Sequence, residues 1–526
     1  MCATGRCTIP YAVQQVRSTE QGTGLSGTQR IVVIGAGFGG LAAAVRLAAR
    51  GHQVTLLEQR DQPGGRAYVY RQDGFTFDGG PTVITAPWLI EDLFTLAGRR
   101  REDYVTLQPI DPFYRIFFPD GSHFDYSGDS IRMEREMRRL GASEADIAGY
   151  HDFVRQSERI FAKGFTELAT QPFLQWQDML RVAPDLIRLE SYRTVYGLVA
   201  RHVQHDRLRQ ILSFHPLLVG GNPFQTTSIY ALIHHLERTW GVWFAQGGTG
   251  TVTDALVRLF TDLGGTLRLS TRAEQIIVER GRARGVRLTG GEAIPADHVI
   301  CNADVSGAYQ RLLPPAMQRS LPGRWLARMR HSMSLVVIYF GTDRQYRGGD
   351  GPTLAHHDII LGPRYEGLLR DIFRRKRLSD DVSLYLHMPT LTDPSLAPPD
   401  CETFYVLAPV PHLGAGIDWS REARPFRDRV MGFLERNYLP DLSRHLVTEH
   451  MIDPRHFQDT LSSHLGSAFA VEPLLTQSAW FRPHNRAPGV PNLYFVGAGT
   501  HPGAGLPGVL CSAVIADRLI AESLHS

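Results

Sequence analysis

The pattern of apolar and polar positions first becomes readable near residue 30. An apolar run over 31–34 ends at Gly35, and Leu41, Val45 and Ala48 then recur at helical spacing until Gly51. A second apolar run follows at 54–57, so the spacing predicts strand, turn, helix and strand, a βαβ unit. Downstream, residues 264–269, 275–279, 285–288 and 299–304 read as strands that return to this unit. Residues 493–496 read as its last strand, with a helix after Pro507.

This pattern predicts a discontinuous nucleotide-binding domain made of residues 29–109, 241–304 and 481–526. Two insertions interrupt it: a mainly helical one over 110–240 and an α/β one over 305–480. Residues 1–28 have no apolar core of a secretory signal and are expected to be a loose tail. The uncharged stretch 487–516 is long enough to suggest a membrane span. Four prolines and six glycines within it break any helix, so strand, turn and helix are expected there instead.

Composition narrows the class. A chain of 526 residues with 43% hydrophobic positions allows two to four domains and a sizeable core. The net charge of +3 is too small for a nucleic-acid footprint. Five cysteines, Cys2, Cys7, Cys301, Cys401 and Cys511, are scattered without metal-binding spacing, so a disulfide framework and a zinc site are both unexpected and no metal is assigned. A reducing, cytoplasmic compartment fits this usage.

The chemistry begins at the first turn. Gly35-Ala36-Gly37-Phe38-Gly39-Gly40 satisfies GxGxxG between a strand and a helix, where backbone amides and the helix N-terminus can receive a pyrophosphate. Glu58 ends the second strand, eighteen residues past Gly40, where an acid accepts hydrogen bonds from an adenosine ribose. These features call for a dinucleotide without separating NAD from FAD. Gly64-Gly65-Arg66 and the turn 74–81 add amide-rich loops and a phosphate-pairing arginine, which a simple NAD domain does not need.

GAGFGGLAAAVRL, LLEQRDQPGGRAYV, GFTFDGGPTVI, HPLLVGGNPFQTTSIYALIHHLER, GVWFAQGGTGT and NLYFVGAGTHPGAGLPGVLCSAV together make the chain resemble bacterial-type phytoene desaturases over residues 30–519. The resemblance implies an α/β fold: a Rossmann-like FAD-binding domain of the amine-oxidase and glutathione-reductase type with inserted substrate-binding and helical membrane-associated domains. It also implies that Gly35, Gly37, Gly39, Gly40, Glu58, Gly64, Gly65 and Arg66 hold the adenosine diphosphate half of FAD. By the same resemblance Gly80, Pro81, Gly497, Gly499 and Thr500 lie nearer the flavin, and the backbone of Ile276 meets the adenine. Many relatives in the wider superfamily carry an acid where Ala498 stands, so recognition there must rest more on backbone groups.

The activity implied is successive desaturation of phytoene to lycopene at a membrane surface, with carotenoid intermediates as partners and a quinone or oxygen as electron acceptor. Alternatives are a diapophytoene- or neurosporene-type desaturase, an isomerase or ketolase, and a non-enzymatic lipid escort of the same fold. Three side chains are candidates for catalysis. Asp178 and Arg181 sit three apart in the apolar PFLQWQDMLRV segment, and His501 stands in a glycine turn expected beside the flavin. The segment 365–378 puts Leu368, Leu369, Ile372 and Phe373 on one face and five basic residues around it, the pattern of an interfacial helix.

Overall fold

A computed structural model describes residues 27–347 and 351–525, so the expected N-terminal tail lies almost wholly outside the described residues. The predicted βαβ unit forms as β1 (Arg30–Ile34), α1 (Phe38–Ala49) and β2 (Gln53–Leu57). Strands β3 (Thr266–Arg268), β4 (His298–Cys301) and β5 (Leu493–Phe495) join them in a parallel five-stranded sheet ordered β5-β4-β1-β2-β3. Side-chain alternation along β1 sets the layers. Ile31 and Val33 pack with Leu41, Val45, Leu256 and Ile515 on the helical side. Val32 and Ile34 pack with Ile276 and Val286 of an antiparallel meander, Ala273–Glu279, Arg282–Leu288 and Ala293–Pro295.

The helix Leu506–His525 follows β5, as the proline- and glycine-rich stretch predicts, and its Asp517 carboxylate anchors it to α1. Asp517 receives hydrogen bonds from Arg46 (Nε, 3.0 Å) and Arg50 (Nε, 2.6 Å) in a buried ion cluster.

A second sheet has seven strands and is antiparallel except for one pairing, His357–Ile360 against Tyr114–Phe117. Its long strand Ser334–Thr342, one in from the edge, is buried along its whole length. One face packs on helix Trp419–Asn437, and the other meets the helical segment that includes Glu144–Phe161 and Asp206–Ser213. The segment 110–240 is therefore not helical from its start. Tyr114–Phe117 and His123–Tyr126 form a hairpin inside this sheet, announced by Pro119-Asp120-Gly121 between alternating runs.

The expected interfacial helix is also different. It is a short helix, Tyr365–Arg370, running into a π-turn, Asp371–Arg375, and Leu368, Leu369, Ile372 and Phe373 are buried in the protein core. Two of its arginines find an internal partner: Asp371 is buried and bonded by Arg375 and Arg377, and by Arg364 just before the helix, while Arg370 bonds Glu366. An apolar face already used by the core cannot enter a lipid surface. Among the described residues no helix is long and apolar enough to cross a membrane.

Candidate active site

One cavity of about 930 Å³ runs from the glycine loop at β1, through the interface of the two sheets, to helix Trp176–Arg188. Its first part is nearly all backbone. Gly64 adopts φ +112° and donates its amide to the Ala36 carbonyl at 2.8 Å, which ties the second glycine loop to the first. A Cβ on Gly40 would stand 2.0 Å from the Gly35 carbonyl oxygen, so α1 reaches β1 this closely only because Gly40 has no side chain. Gly40 thus serves packing, while Gly35, Gly37 and Gly39 line the cavity. The Asn302 side chain lies beneath the loop and donates to the Gly35 carbonyl at 3.3 Å. A Cβ at Gly39 or Gly497 would meet its Oδ1 at 2.7 or 2.6 Å.

Glu58 is buried at the cavity wall, where Oε2 accepts from the Ala36 amide (2.8 Å) and Oε1 from the Arg60 amide (3.0 Å). These bonds fix the carboxylate, and each oxygen keeps a lone pair for a hydroxyl donor. Arg66 lines the same region. Its Nε is buried without a partner, its Nη2 reaches only Ser463 Oγ at 3.4 Å, and no ion pair reaches its guanidinium among the described residues. Burial lowers its pKa from the ordinary arginine value, with Asp304 opposing. Asp304 Oδ1 accepts from the Gly307 amide at 2.8 Å, whereas its Oδ2 is buried and unpartnered.

A half-buried cation with a buried, unpartnered Nε beside amide-rich glycine turns matches a pyrophosphate, and carboxylates with spare acceptor capacity match sugar hydroxyls. The residues present fit FAD. Gly65, Gly80 and Pro81 also line the cavity. Ile276 does not: its side chain is in the core, its amide donates to the Leu312 carbonyl at 2.8 Å, and the cavity wall at this point is Thr271 to Glu274.

At the C-terminal side, Gly497 and Ala498 face the cavity while Gly499 and Thr500 stand behind them. Gly499 packs where a Cβ would be 2.8 Å from Val305, and Thr500 Oγ1 donates to the Gly497 carbonyl at 3.2 Å. Arg482, fully buried, holds this loop through the Thr500 carbonyl (2.9 Å) and the Ala498 carbonyl (2.8 Å). His501 completes the turn and lines the cavity. Its Nε2 faces the Leu168 carbonyl at 3.1 Å, so Nε2 carries the proton, and its buried Nδ1 has no partner. Burial lowers its pKa to about 4, which keeps the ring neutral at pH 7.

The structure does not bring Asp178 or Arg181 to the cavity. Asp178 accepts the Gln175 amide at 3.0 Å in a capping box, and Arg181, 79% exposed, lies 3.7 Å from it on the outer surface. Their neighbours Met179, Val182 and Leu186 point inward and line the apolar end. One further acid does reach the cavity. Glu237 is fully buried, accepts from Tyr114 OH at 2.7 Å, and faces His215 Nε2 at 3.2 Å. Little in the sequence signals it, since its helix also carries His234, His235, Arg238 and Thr239.

The chain matches the flavin-containing amine oxidoreductases over residues 38–520. It is 52% identical over 501 residues to a lycopene-forming phytoene desaturase of Pseudescherichia vulneris, covering 94% of this chain and 100% of that one. It is 50% identical over 496 residues to one of Pantoea ananas, covering 94% and 99%. Among solved structures, a putrescine oxidase bound to putrescine superposes with a TM-score of 0.63 at 15% identity, over 95% of this chain and 100% of that one, and so shares the fold.

Proposed function

This chain belongs to the flavin-containing amine oxidoreductase family, and from that premise we propose that it is an FAD-dependent phytoene desaturase that forms lycopene. The observation that carries this reading is the continuity of the cavity, which joins a dinucleotide cradle to an apolar chamber lined by Met179, Val182, Leu217, Leu335, Val337 and Ile359.

Bound FAD supplies the two-electron acceptor that no side chain provides. Each desaturation removes a hydride from one carbon and a proton from its neighbour. We assign the proton to His501. The Leu168 carbonyl fixes its tautomer, its Nδ1 lone pair is unclaimed, and burial holds it neutral. Arg482 and Asn485 hold the loop that positions it, the latter donating to the His501 carbonyl at 2.9 Å. A hydrocarbon gives the site no hydrogen-bonding group. Burial, at ~0.8 kcal/mol per CH₂, is nearly offset by the loss of equally apolar lipid, so selectivity rests on the shape of the chamber.

Substrate enters from a lipid surface in this reading. Helix Trp176–Arg188 lines the chamber with one face and exposes Trp176, Leu180 and Ile187 on the other, at 56%, 59% and 67%. Arg181 and Arg188 flank them, as in a helix that lies in the headgroup region. Oxygen or a quinone is the terminal acceptor.

The test is anaerobic incubation of the FAD-loaded protein with phytoene in liposomes, following flavin bleaching and polyene absorption together. Bleaching with polyene bands ending at those of lycopene is expected. A flavin that stays oxidised with phytoene unchanged would refute the assignment.

A further inference from the structure

Behind the cavity wall, the seven-stranded sheet carries three histidines that the desaturase reading does not use. His357 opens strand His357–Ile360, His387 closes the antiparallel strand Leu384–His387, and the two residues are direct register partners. His356 adjoins them in sequence, and all three are buried. Their ring centroids lie 4.5 Å (His356 to His357), 4.7 Å (His356 to His387) and 5.1 Å (His357 to His387) apart.

Every ring is held from its Nδ1 side. His356 Nδ1 is 2.6 Å from Thr392 Oγ1, His357 Nδ1 is 2.7 Å from Tyr385 OH, and His387 Nδ1 is 3.1 Å from the His356 carbonyl. Every Nε2, in contrast, is buried and without a partner. A carbonyl can only accept, so His387 Nδ1 carries its proton and its Nε2 is a bare lone pair. One nitrogen from each ring falls within 4.8 Å of the other two, and with all Nδ1 atoms engaged Nε2 is the atom free to ligate.

Three unsatisfied buried nitrogens are costly, and no protein donor approaches them among the described residues. Asp358 is no rival ligand: alternation turns it to the opposite face, where it accepts from the Ala355 amide at 3.0 Å. Neutral imidazoles oriented through the second ring nitrogen and converging through the first are what a borderline-soft divalent ion requires. We propose that His356, His357 and His387 bind a divalent transition-metal ion of the zinc class through their Nε2 atoms, with a fourth position left to water.

The ion would join two neighbouring strands and the turn at Thr392. Its outer hydrogen bonds lead from His357 to Tyr385, and Tyr385 OH is 3.0 Å from Thr82 Oγ1; both Tyr385 and Thr82 line the cavity. We therefore assign it a structural role, fixing the wall of the chamber. Histidines one and thirty residues apart show no ligand spacing in the sequence, and only the strand register assembles them.

The test uses the FAD-loaded full chain, expressed with zinc in the medium and freed of loosely bound ions. Elemental analysis beside flavin absorbance should give about one zinc per chain, and X-ray absorption should show imidazole nitrogens at about 2.0–2.1 Å. His387→Gln and His357→Gln should keep flavin and lose the metal. Should either variant fail to fold, wild-type protein stripped with dipicolinate and then given zinc answers the same question, its melting temperature falling and recovering with the ion. Wild-type protein holding less than about 0.1 metal per chain, with a melting temperature indifferent to zinc, would overturn the proposal, as would zinc retained in His387→Gln.

Discussion

Replacing Arg66 by Met tests the cofactor cradle because it moves two quantities in opposite directions. The guanidinium stands in the cavity wall with Nε unpaired and one long bond to Ser463 Oγ. Without FAD it is a poorly compensated cation, which burial already disfavours. Methionine keeps most of the stem and removes the charge, so the FAD-free protein should melt at the same temperature or higher. With FAD the arginine gains a phosphate partner, and one charge-assisted hydrogen bond is worth ~1.5–3 kcal/mol. At 1.4 kcal/mol per decade, the variant should bind FAD ~10–150-fold more weakly. Titration of deflavinated protein by flavin fluorescence gives the affinity, and melting with and without excess FAD gives the linked stability. An affinity within about twofold of wild type, or a fall in the melting temperature of the FAD-free protein, would show Arg66 to be structural and not a phosphate ligand.

Other expectations follow from the same geometry. His501→Gln should slow anaerobic flavin reduction by phytoene while leaving FAD content unchanged; because its pKa is lowered to about 4, the wild-type reduction rate should show no histidine inflection near pH 6.5, and one there would remove His501 from the proton step. Asp517→Asn should destabilise the protein by ~1.5–3 kcal/mol in denaturant titration, because Arg46 and Arg50 lose its charge while Arg46 keeps Asp92 at 2.9 Å. Burial opposes the Asp517 charge, but Arg46 and Arg50 outweigh it and the pKa is lowered, so its stabilisation is complete above the ordinary carboxylate range and lost as pH falls through the depressed value; an acid-melting curve identical in the variant would contradict this. Replacing Trp176, Leu180 and Ile187 together by Ser should cut liposome binding by ~100-fold, at ~1 kcal/mol for each partly exposed side chain, and unchanged sedimentation with liposomes would move the docking face elsewhere.

The parts of the site legible in the sequence are those whose meaning is local. A glycine turn between two periodic runs, with an acid at the end of the next strand, declares its geometry within thirty residues, and Gly35, Gly37, Gly39, Glu58 and Arg66 all reach the cavity. Asn302, Asp304, Glu237 and Arg482 act only because distant strands and loops deliver them, so nothing beside them in the chain marks their role. The 365–378 segment shows the limit of amphipathic pattern: an apolar face reads the same whether core or lipid covers it, and only the fold shows Leu368, Leu369, Ile372 and Phe373 in the core, with Arg375 and Arg377 drawn to buried Asp371. For Asp178, spacing from Gln175 already spelled a capping box, a local bond that the apolar surroundings obscured.

The split of the nucleotide fold across the chain has a consequence for biosynthesis. The Gly37 loop emerges early, but Gly497 and the His501 turn, which close the same cradle, are made 460 residues later. At ~5–20 residues per second a ribosome needs roughly 25–90 s to cover that distance. During this interval β1 and β2 exist without β4 and β5, and Val32, Val33 and Ile34 lack most of the neighbours that bury them. The cradle is therefore complete only once the chain through His501 has been made, and until then the half-built sheet keeps part of its apolar surface uncovered while the two insertions are being translated.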